Sequence, residues 1–448
     1  MPRPLSHIRV LDLSRVLAGP WASQNLADLG AEVLKIERPG SGDDTRSWGP
    51  PFLKDKDGAE TRESAYFLSV NRGKKSVTLD IAKPEGQRIA RELAAKCDVL
   101  LENYKVGGLA KYGLAYEDLR KINPRIVYCS ITGFGQSGPS AHRPGYDFIF
   151  QGMGGLMSIT GERDGEPGGG PQKVGIAVTD VLAGMYASLA ITAAIAHRER
   201  TGVGQYIDLA LFDSIVAFGA NQIMNYFTSG KIPGRYGNAH ANVVPYEVFA
   251  TADGHVILAV GNDSQFASFC KVAGRPELAA DSRYATMPGR ITNRSTLIPL
   301  LREIFRQRPG RRWLADLEAA GVPCGPINDY KEVFEDPQVR HRGLKIEIPH
   351  TAGVPCPTVA SPMRFSETPV EYKLLYHLVR NAGRLMTHEA LLERVWSTEW
   401  GASPNNLKAL VSRLRAKIEP DPHGTRFIEN LRGIGYRFVR PQADGAQG

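Results

Sequence analysis

Cysteine is scarce in this 448-residue chain, and its spacing fits none of the sites that cysteine usually builds. The five cysteines are odd in number and far apart, and no pair shows the CxxC spacing of zinc or redox motifs. The sequence therefore supports neither a disulfide framework nor a metal site. We expect a protein of the reducing cytoplasm that holds no metal.

Long apolar runs are also few. The amino-terminal stretch MPRPLSHIRVLDLS lacks an uncharged apolar segment followed by a cleavage site, so we expect no secretion signal. Residues 181–196 (VLAGMYASLAITAAIA) are the most apolar run, but they are short for a bilayer and are bounded by charged residues. We expect this run to be a helix in a large core or at a subunit interface, and we expect no membrane partner.

Positive charge is in excess, and most of the excess lies near the carboxyl end. The chain has a net charge of +8, whereas residues 371–440 alone hold 12 Lys and Arg against 7 Asp and Glu, a net +5. A small part of the chain thus carries most of the excess. This distribution predicts a polyanionic partner for the tail and not for the whole protein.

Apolar runs of strand length alternate with helix-like stretches through the first half of the chain. The opening IRVLDLS, the stretch WASQNLADLGA and the run EVLKIE form a strand–helix–strand unit. The alternation recurs: helix-like PEGQRIARELAAKC precedes strand-like DVLLENY, helix-like YEDLRKINP precedes strand-like RIVYCSITGFG, and a later strand-like run is QYIDLAL. This order predicts an α/β fold with a Rossmann-like parallel sheet that is covered on both faces.

The length of the chain predicts two or three domains. We assign residues 1–224 to a large Rossmann-like domain, 225–325 to a smaller α+β domain and 326–367 to a segment that returns to the large domain. Residues 368–440 are expected to form a separate carboxyl-terminal module, followed by a disordered tail at 441–448. Within the large domain, the stretch GERDGEPGGGPQ (161–172) is expected to be a mobile loop that leads into the next helix.

Ten separate motifs, all in order, give residues 5–368 a specific resemblance. They are RVLAGP (15–20), GAEVLKIERPGSGDDTR (30–46), VNRGKKSVTLD (70–80), ENY (102–104), SITGFGQSGP (130–139), PGYD (144–147), TDVLAGMYA (179–187), TGVGQYIDLAL (201–211), GVPCGPIND (321–329) and the F-x-DPQV run ending at Val339. In these motifs the chain resembles the class III CoA-transferases, the CaiB/BaiF family. The stretches WGPPF, RYGNAHANVVPYEVF and GNDSQF are most similar to succinyl-CoA:dicarboxylate CoA-transferases.

The resemblance implies a reaction, a nucleophile and an assembly. CoA would move from an acyl-CoA, here succinyl-CoA, to a dicarboxylic acid, and the family's fold is an interlocked homodimer. Moving CoA between two acids has a free-energy change near zero, so the reaction needs no ATP but needs a group that carries first the acyl and then the thioester. The family uses an aspartate for this purpose, and the matching residue is Asp180. CoA, as the acyl-CoA substrate, is the cofactor implied.

Asp180 also has an ordinary structural interpretation. Because it stands just before an apolar helix, it is a candidate N-cap. The functional role is compatible with that place, since the helix dipole keeps a carboxylate ionised and therefore nucleophilic. The glycine-rich loop before it can close over the thioester and exclude water from an anhydride intermediate.

The resemblance places CoA along the loops of the large domain. The matching residues are Leu17, Ala18, Arg38, Leu79, Asp80, Asn103, Tyr104, Lys111, Gly133 and Phe134. Four cations suit the phosphates of CoA, although any one of them alone is more commonly a solvated surface charge: Arg38, Lys74, Lys75 and Lys111. Gly261 and Asn262 fall where the family has a glycine loop that shields the intermediate.

Two further features bear on the acceptor. Arg235 and His240 in RYGNAH are candidates for binding the distal carboxylate of a dicarboxylic acid, and the alternative interpretation is a surface turn. Tyr146 stands where the racemase branch of the family has a histidine before the residue that matches Asp147. This departure favours CoA transfer over α-epimerisation.

Residues 368–440 resemble a second family. The stretches TPVEYKLLYHLVRNAGRLMTHEALLERVW, NNLKALVSRLRAKIEPDP and RFIENLRGIGYRF are similar to the winged-helix domain of OmpR/PhoB-type response regulators. The resemblance implies a winged helix-turn-helix, the effector domain of a phosphorelay, that binds duplex DNA and regulates transcription.

The recognition helix of this module follows from spacing. Ser403 suits the N-cap and Pro404 the first helical position, as Thr387 suits the N-cap of the preceding helix. One face is apolar, formed by Leu407, Leu410, Val411, Leu414 and Ile418. The candidates for DNA contact lie on and beside the opposite face and in the β-wing, where a basic side chain suits a minor groove: Asn405, Lys408, Ser412, Arg413, Arg415 and Arg432.

Both resemblances are incomplete. The proline-rich turn and terminal helix of the CoA-transferases do not follow SETP, no receiver domain is recognisable, and enzyme sequence replaces the small sheet that precedes the winged helix. The simplest interpretation is a fusion of a CoA-transferase with a DNA-binding module. The alternatives are a transcriptional regulator whose enzyme-like part senses acyl-CoA, and an inactive chimera.

Overall fold

The fold is taken from a computed structural model, which describes residues 3–365, 370–396, 404–419, 426–431 and 433–439. The strands are β1 (Arg9–Asp12), β2 (Glu32–Glu37), β3 (Phe52–Lys54), β4 (Glu60–Ser64), β5 (Lys74–Thr78), β6 (Val99–Glu102), β7 (Val127–Thr132), β8 (Tyr206–Ala210), β9 (Tyr246–Ala250), β10 (His255–Ala259), β11 (Cys324–Gly325), β12 (Lys345–Pro349), β13 (Pro355–Val359), β14 (Leu385–Thr387), β15 (Ile428–Leu431) and β16 (Gly435–Phe438).

The helices are α1 (Ala18–Asp28), α2 (Ala65–Ser69), α3 (Pro84–Ala94), α4 (Tyr116–Ile122), α5 (Asp147–Met153), α6 (Leu156–Ile159), α7 (Val178–Thr201), α8 (Leu211–Phe218), α9 (Ala220–Ser229), α10 (Asp263–Val272), α11 (Glu277–Ala280), α12 (Met287–Thr292), α13 (Arg294–Phe305), α14 (Gly310–Ala319), α15 (Tyr330–Glu335), α16 (Pro337–His341), α17 (Val370–Arg380), α18 (His388–Trp396) and α19 (Pro404–Ile418).

The main sheet has six strands in the order β5-β2-β1-β6-β7-β8. Every pair in it is parallel, and every residue of β6 and β7 is buried, as expected of strands covered on both faces. The Rossmann-like prediction is confirmed. Strand order reverses between β1 and β6, and ligands of such sheets bind in the crevice at the carboxyl ends of the strands on either side of that point.

The described residues divide into two compact units. The first lies within Met1–His142, Asp180–Ala210 and Phe334–Gly448, and it contains the main sheet. The second lies within Arg143–Thr179 and Leu211–Val333. It therefore includes segments that the sequence assigned to the large domain, and the domain boundaries at 224, 325 and 367 stay a prediction.

The core of the second unit is aromatic. It lies between the antiparallel sheet β11-β10-β9 and helices α10, α13 and α14. Phe249 stacks on Phe305 with ring centroids 4.5 Å apart, and Trp313 lies 4.5 Å from the same ring. Rings in these arrangements contribute interaction energy beyond the area they bury, so this core fixes the small sheet against its helices.

The carboxyl-terminal module is built from α17, α18, α19 and the antiparallel sheet β14-β16-β15. The predicted inward face of the last helix is confirmed, since Leu407, Leu410, Val411 and Leu414 are all buried in its core. The predicted N-cap of α18 is also present, because Thr387 Oγ1 accepts a hydrogen bond from the Ala390 N–H. The predicted N-cap Ser403 and the tail 441–448 lie outside the described residues.

Helix α7 contains the apolar run that the sequence singled out. Among the described residues it is the one helix long and apolar enough to cross a membrane by length and composition, a test that core helices of other proteins also pass. One of its faces packs on α1, where Asn25 Nδ2 donates to Ser188 Oγ over 3.2 Å and Ala183 and Ala187 are buried. Another face exposes large apolar side chains, including Met185 and Leu189.

Candidate active site

A cavity of about 170 Å³ lies where the carboxyl ends of β1, β2, β5 and β6 meet. Four of the predicted CoA-binding residues line it: Arg38, Leu79, Asp80 and Tyr104. Each of them lies within two residues of the carboxyl end of a strand of the sheet, which explains why residues distant in sequence converge here. The Arg38 side chain is exposed, so its charge is available to an anionic ligand.

The other predicted CoA-binding residues do not line this cavity. Leu17 and Ala18 are buried at the start of α1, and Gly133 and Phe134 follow β7 and are half-buried. Lys111 is exposed, and its ammonium lies 4.8 Å from the ring centroid of Tyr112, which does line the cavity.

Asn103 holds the neighbouring loop. Its Oδ1 accepts from the Arg15 N–H at 2.9 Å and its Nδ2 donates to the Arg15 carbonyl at 2.8 Å. Arg15 itself lines the cavity and lies over the Tyr104 ring, with its guanidinium carbon 5.7 Å from the centroid. The side chain of Asn103 is thus used inside the protein.

Lys74 and Lys75 have different surroundings from those expected of phosphate ligands. The Lys74 ammonium is buried and donates to the Pro20 carbonyl at 2.9 Å and to Asn71 Oδ1 at 2.8 Å, with Asp12 Oδ2 at 3.4 Å. Burial lowers its pKa, although Asp12 acts in the opposite direction. Lys75 is exposed and pairs with Glu32 at 2.6 Å. Neither side chain lines the cavity.

Asp180 lies in the first turn of α7 and is half-buried. The expectation that it caps the helix is wrong, because the helix begins at Val178, two residues earlier. The preceding Thr179 is buried and donates its N–H to Asp147 Oδ1 at 2.8 Å, so Asp147 holds the start of the helix. We still expect the helix dipole to favour the ionised carboxylate of Asp180, since the dipole acts on carboxylates throughout the first turn.

Arg235, proposed for the acceptor carboxylate, holds the glycine-rich loop of the second unit. Its guanidinium donates to the carbonyls of Ser158 at 3.2 Å and Glu162 at 3.3 Å and pairs with Asp164. Only 11% of the Arg235 side chain is exposed. The loop 161–172 contains no helix or strand, as expected, but Arg235 ties its first residues to the segment before β9.

The other predicted substrate residues have local partners. His240 Nδ1 accepts from the Asn242 N–H at 3.0 Å, which makes a compact turn. Asn262 is the N-cap of α10 and accepts from the Gln265 N–H at 2.8 Å. Gly261 donates its N–H to Gln265 Oε1 at 2.7 Å. These contacts shape the loop after β10.

In the carboxyl-terminal module, Lys408 and Ser412 are exposed on α19. Arg415 is turned inward, where Nη2 donates to the Ile428 carbonyl at 2.8 Å and Nε lies 3.7 Å from Glu419. Asn405 and Arg413 belong to α19, but their side chains lie outside the described part of the chain, as does the whole of Arg432.

The residues of the cavity wall that were missed from the sequence include three charged ones that matter below: Arg15, Lys35 and Asp43. Lys35 carried a signal, because a lysine between Leu34 and Ile36 interrupts an apolar strand. Its partner Asp43 carried none, since the pairing depends on the return of the chain after β2. In the described ranges no cluster of His, Cys, Asp and Glu side chains has the arrangement of a metal site.

Residues 5–375 match the family described as "CoA-transferase family III", and residues 364–438 match "Transcriptional regulatory protein, C terminal". The succinate–glutarate CoA-transferase of Agrobacterium fabrum is 48% identical over 402 residues, covering 90% of this chain and 98% of the relative. The succinyl-CoA:glutarate CoA-transferase of Mus musculus is 50% identical over 361 residues, covering 80% of each.

A solved structure is similar over the same part of the chain. The crystal structure of a CaiB/BaiF family protein from Brucella suis has a TM-score of 0.72 and 49% identity, covering 82% of this chain and 94% of that one. The resemblances drawn from the motifs are therefore confirmed for both segments. This chain belongs to CoA-transferase family III, and its carboxyl-terminal segment matches the winged-helix family of transcriptional regulators.

Proposed function

We propose that the chain transfers CoA from succinyl-CoA to a dicarboxylic acid, with glutarate as the first acceptor to test. The observation that carries this proposal is the 48–50% identity to relatives named for succinate or succinyl-CoA and glutarate, over 80–90% of the chain. The cavity at the switch point supports it, because the exposed Arg38 offers a cation to an anionic ligand at the carboxyl ends of parallel strands, beside Arg15, which pairs with Asp44 at 2.9 Å.

Asp180 is the proposed nucleophile. Its carboxylate attacks the thioester carbonyl of succinyl-CoA, the CoA thiolate leaves, and a mixed anhydride of Asp180 and succinate forms. The thiolate then attacks the aspartyl carbonyl, which releases succinate and leaves CoA as a thioester on Asp180.

The second half of the reaction mirrors the first. The acceptor carboxylate attacks the aspartyl thioester, releasing the thiolate and giving a new anhydride. The thiolate attacks the acyl carbonyl of that anhydride, so the product acyl-CoA leaves and the Asp180 carboxylate is restored. No proton or electron is gained or lost, and the helix dipole at the first turn of α7 favours the ionised carboxylate at both ends of the cycle.

We also propose that the carboxyl-terminal module binds duplex DNA. The exposed Lys408 and Ser412 on α19 and the net charge of +5 over residues 371–440 support this. Its apolar residues form a continuous buried core that includes Leu374, Leu391 and Tyr436, as a folded winged helix requires.

A homodimer of the enzyme part, in the cytoplasm, completes the proposal. Helix α7 exposes Met185, Tyr186 and Leu189. Large apolar side chains clustered at a surface mark interfaces between proteins. A second copy of this chain is the partner that the family's interlocked assembly supplies.

A second candidate is an acyl-CoA-sensing regulator that binds without turnover. The match of residues 364–438 to transcriptional regulators favours it, and the two candidates differ in catalysis alone. A sensor needs the cavity but has no need of a nucleophile at Asp180.

The test is to mix the purified chain with succinyl-CoA and a panel of dicarboxylic acids and to identify the CoA esters by mass spectrometry. The proposal expects a new acyl-CoA with release of an equal amount of succinate. Binding of CoA with no product from any acid would favour the sensor. Absence of CoA binding altogether would contradict both.

A further inference from the structure

In the loop that follows β1, side chains bind five consecutive polar backbone groups, from the Ser14 N–H to the Val16 N–H. We name residues 14–18 the switch-point loop. The Ser14 N–H donates to Asp12 Oδ1 at 2.9 Å, and the Ser14 carbonyl accepts from Lys35 Nζ at 2.8 Å. The Asn103 side chain binds both the backbone N–H and the backbone carbonyl of Arg15. Backbone groups in loops usually meet water or other backbone, so this engagement is specific to the loop.

The next residue, Val16, has a backbone conformation that valine rarely adopts. Its φ is +70°, in the left-handed region, where a β-branched side chain is a genuine outlier. Its N–H is directed at both carboxylate oxygens of Asp43, each 3.3 Å away. Strain of this kind persists only where the surroundings overdetermine the conformation, and it is concentrated at functional sites.

Asp43 is suited to hold this conformation because it is itself immobile. Its side chain is fully buried and accepts from the Thr45 hydroxyl at 2.8 Å and the Thr45 N–H at 3.0 Å. Lys35 Nζ pairs with it at 2.9 Å from strand β2. Lys35 thus binds both the Ser14 carbonyl, which lies before Val16, and the Asp43 carboxylate, which accepts from the Val16 N–H.

A second buried pair lies behind the first. Asp12 at the end of β1 accepts from the hydroxyls of Ser14 and Ser23, each at 2.5 Å, and lies 3.4 Å from Lys74. Burial alone would raise the pKa of Asp12, but the ammonium groups of Lys35 and Lys74 outweigh it and hold that pKa below its usual value. Two lysines and two aspartates thus lie together behind the loop and hold it through hydrogen bonds and ion pairs.

We propose that Asp43, anchored by Lys35, is a positioning residue for CoA: it fixes Val16 in its left-handed conformation and so sets the switch-point loop for the thioester substrate. The inference rests on the proposed function. Asp43 does not itself attract the substrate, since its charge is matched by Lys35 and its oxygens are already engaged. Through the loop it sets the place of Arg15, in the cavity wall, and of Leu17 at the start of α1.

The first test is Asp43→Asn, which keeps the shape and removes the charge. The dissociation constant of free CoA, measured by calorimetry, should rise roughly 10- to 100-fold, because small misplacements of a binding loop have effects of this size. The KM for succinyl-CoA should rise in parallel, whereas the KM for the acceptor acid should stay within a few-fold of the wild type. A purely structural role of Asp43 would change the KM for succinyl-CoA and the KM for the acceptor acid alike, or would change neither.

A matched control separates positioning from stability. Asp98 pairs with the buried Arg198 at 2.8 Å. It stands just before β6, so it lies at the amino ends of the parallel strands, whereas the cavity lies at their carboxyl ends. Asp98→Asn should lower the thermal midpoint as Asp43→Asn does, but it should leave CoA affinity unchanged. Equal losses of affinity in the two variants would overturn the inference.

The decisive variant is Val16→Gly combined with Asp43→Asn. Glycine adopts positive φ without steric cost, so it removes the strain that Asp43 opposes. The double variant should recover at least about tenfold of the CoA affinity that Asp43→Asn loses, a coupling expected only of residues that act on each other. Additive effects would contradict the inference.

Failure to fold is also informative. If Asp43→Asn does not fold but the double variant folds and binds CoA, the inference stands; if neither folds, Asp43 is a general folding residue and the inference fails. A wild-type protein that does not bind CoA would instead refute the proposed function.

Discussion

At the scale of single residues, Asp180 carries the proposed chemistry. Replacing it by alanine removes the nucleophile while leaving the cavity at the ends of β1, β2, β5 and β6 intact. The rate of CoA transfer should fall by about four orders of magnitude or more. The dissociation constant of CoA should change only a few-fold.

Asp213 supplies the control for that variant. It is an exposed aspartate in the first turn of α8, so it shares the helix position of Asp180 but has no assigned role. Asp213→Ala should transfer CoA at the wild-type rate. Appreciable turnover by Asp180→Ala would show that another group is the nucleophile.

Glu102, at the carboxyl end of β6, predicts a pH dependence of stability. Burial raises its pKa to about 7, although hydrogen bonds from Ser130 and the Tyr104 N–H act in the opposite direction. The ordinary value is 4.5, so between about pH 4.5 and 7 the folded protein holds a proton that the unfolded chain has lost. The free energy of unfolding therefore falls as pH rises through this window.

Glu102→Gln should remove that dependence. Between pH 4.5 and 7.5 the wild type should lose on the order of 3 kcal/mol relative to the variant, measured by denaturant unfolding at each pH. Glu117→Gln is the control, because the Glu117 side chain, in the first turn of α4, is 71% exposed. A wild type and Glu102→Gln with parallel pH profiles would contradict the raised pKa.

Residues of the site were predictable where the motif itself places them after a strand. Arg38 is the first residue after β2 and Tyr104 the second after β6, and both line the cavity. Lys74 differs, because it is the first residue of β5 and its side chain points to the interior pair with Asp12. Which face of a strand a lysine occupies, and what it meets there, depends on tertiary packing that spacing alone does not encode.

At the scale of elements, the strands were the most predictable feature. The run EVLKIE matches β2 residue for residue, because its apolar residues are those of a strand in a covered parallel sheet and the loops on either side are polar or glycine-rich. Helix starts were less predictable. Helix α7 begins before Asp180 because Asp147, distant in sequence, holds the Thr179 N–H.

The two family matches overlap over residues 364–375, a range that includes the beginning of helix α17. In the fold it packs against α18, α19 and β16, and Leu374 and Leu378 are buried in the core of the carboxyl-terminal module. The helix therefore serves the winged helix.

Substitutions at Lys408 and Arg415 on α19 should have different effects, the first on DNA affinity and the second on the stability of the module. Lys408 is exposed, so Lys408→Ala should weaken binding to duplex DNA of any sequence and reduce the salt slope by about one. Arg415 donates to the Ile428 carbonyl, so Arg415→Ala should destabilise the module by about 1–3 kcal/mol. Fluorescence anisotropy over a salt series and thermal unfolding measure the two effects.

Lys345→Ala is the matched control for Lys408→Ala. It removes one exposed lysine from β12, outside the carboxyl-terminal module, and should leave DNA affinity and its salt dependence unchanged. Equal effects of the two variants would mean that binding follows total charge. In that case α19 would not be the DNA-contacting helix.

At the scale of the whole molecule, the exposed apolar face of α7 predicts a dimer. Leu189 is 67% exposed, and Met185 lies one helical turn before it. The wild type should sediment as a dimer at micromolar concentration. Leu189→Glu should sediment as a monomer, because a charge in that interface would be buried without a partner.

Ile122→Glu is the control for the dimer prediction. Ile122 is also exposed, at the end of α4, but it is not part of an extended apolar face. This variant should remain dimeric. A monomeric wild type, or dimers in both variants, would contradict the assignment of the interface to α7.

The central claim is that Asp180 carries CoA as a thioester during transfer, and it can be tested by trapping. The chain is incubated with succinyl-CoA without an acceptor, treated with hydroxylamine and digested, and its peptides are mapped by mass spectrometry. A thioester or anhydride on a carboxylate becomes a hydroxamate at that side chain. The account predicts a hydroxamate on Asp180; a modification at another residue, or CoA transfer with none, would contradict it.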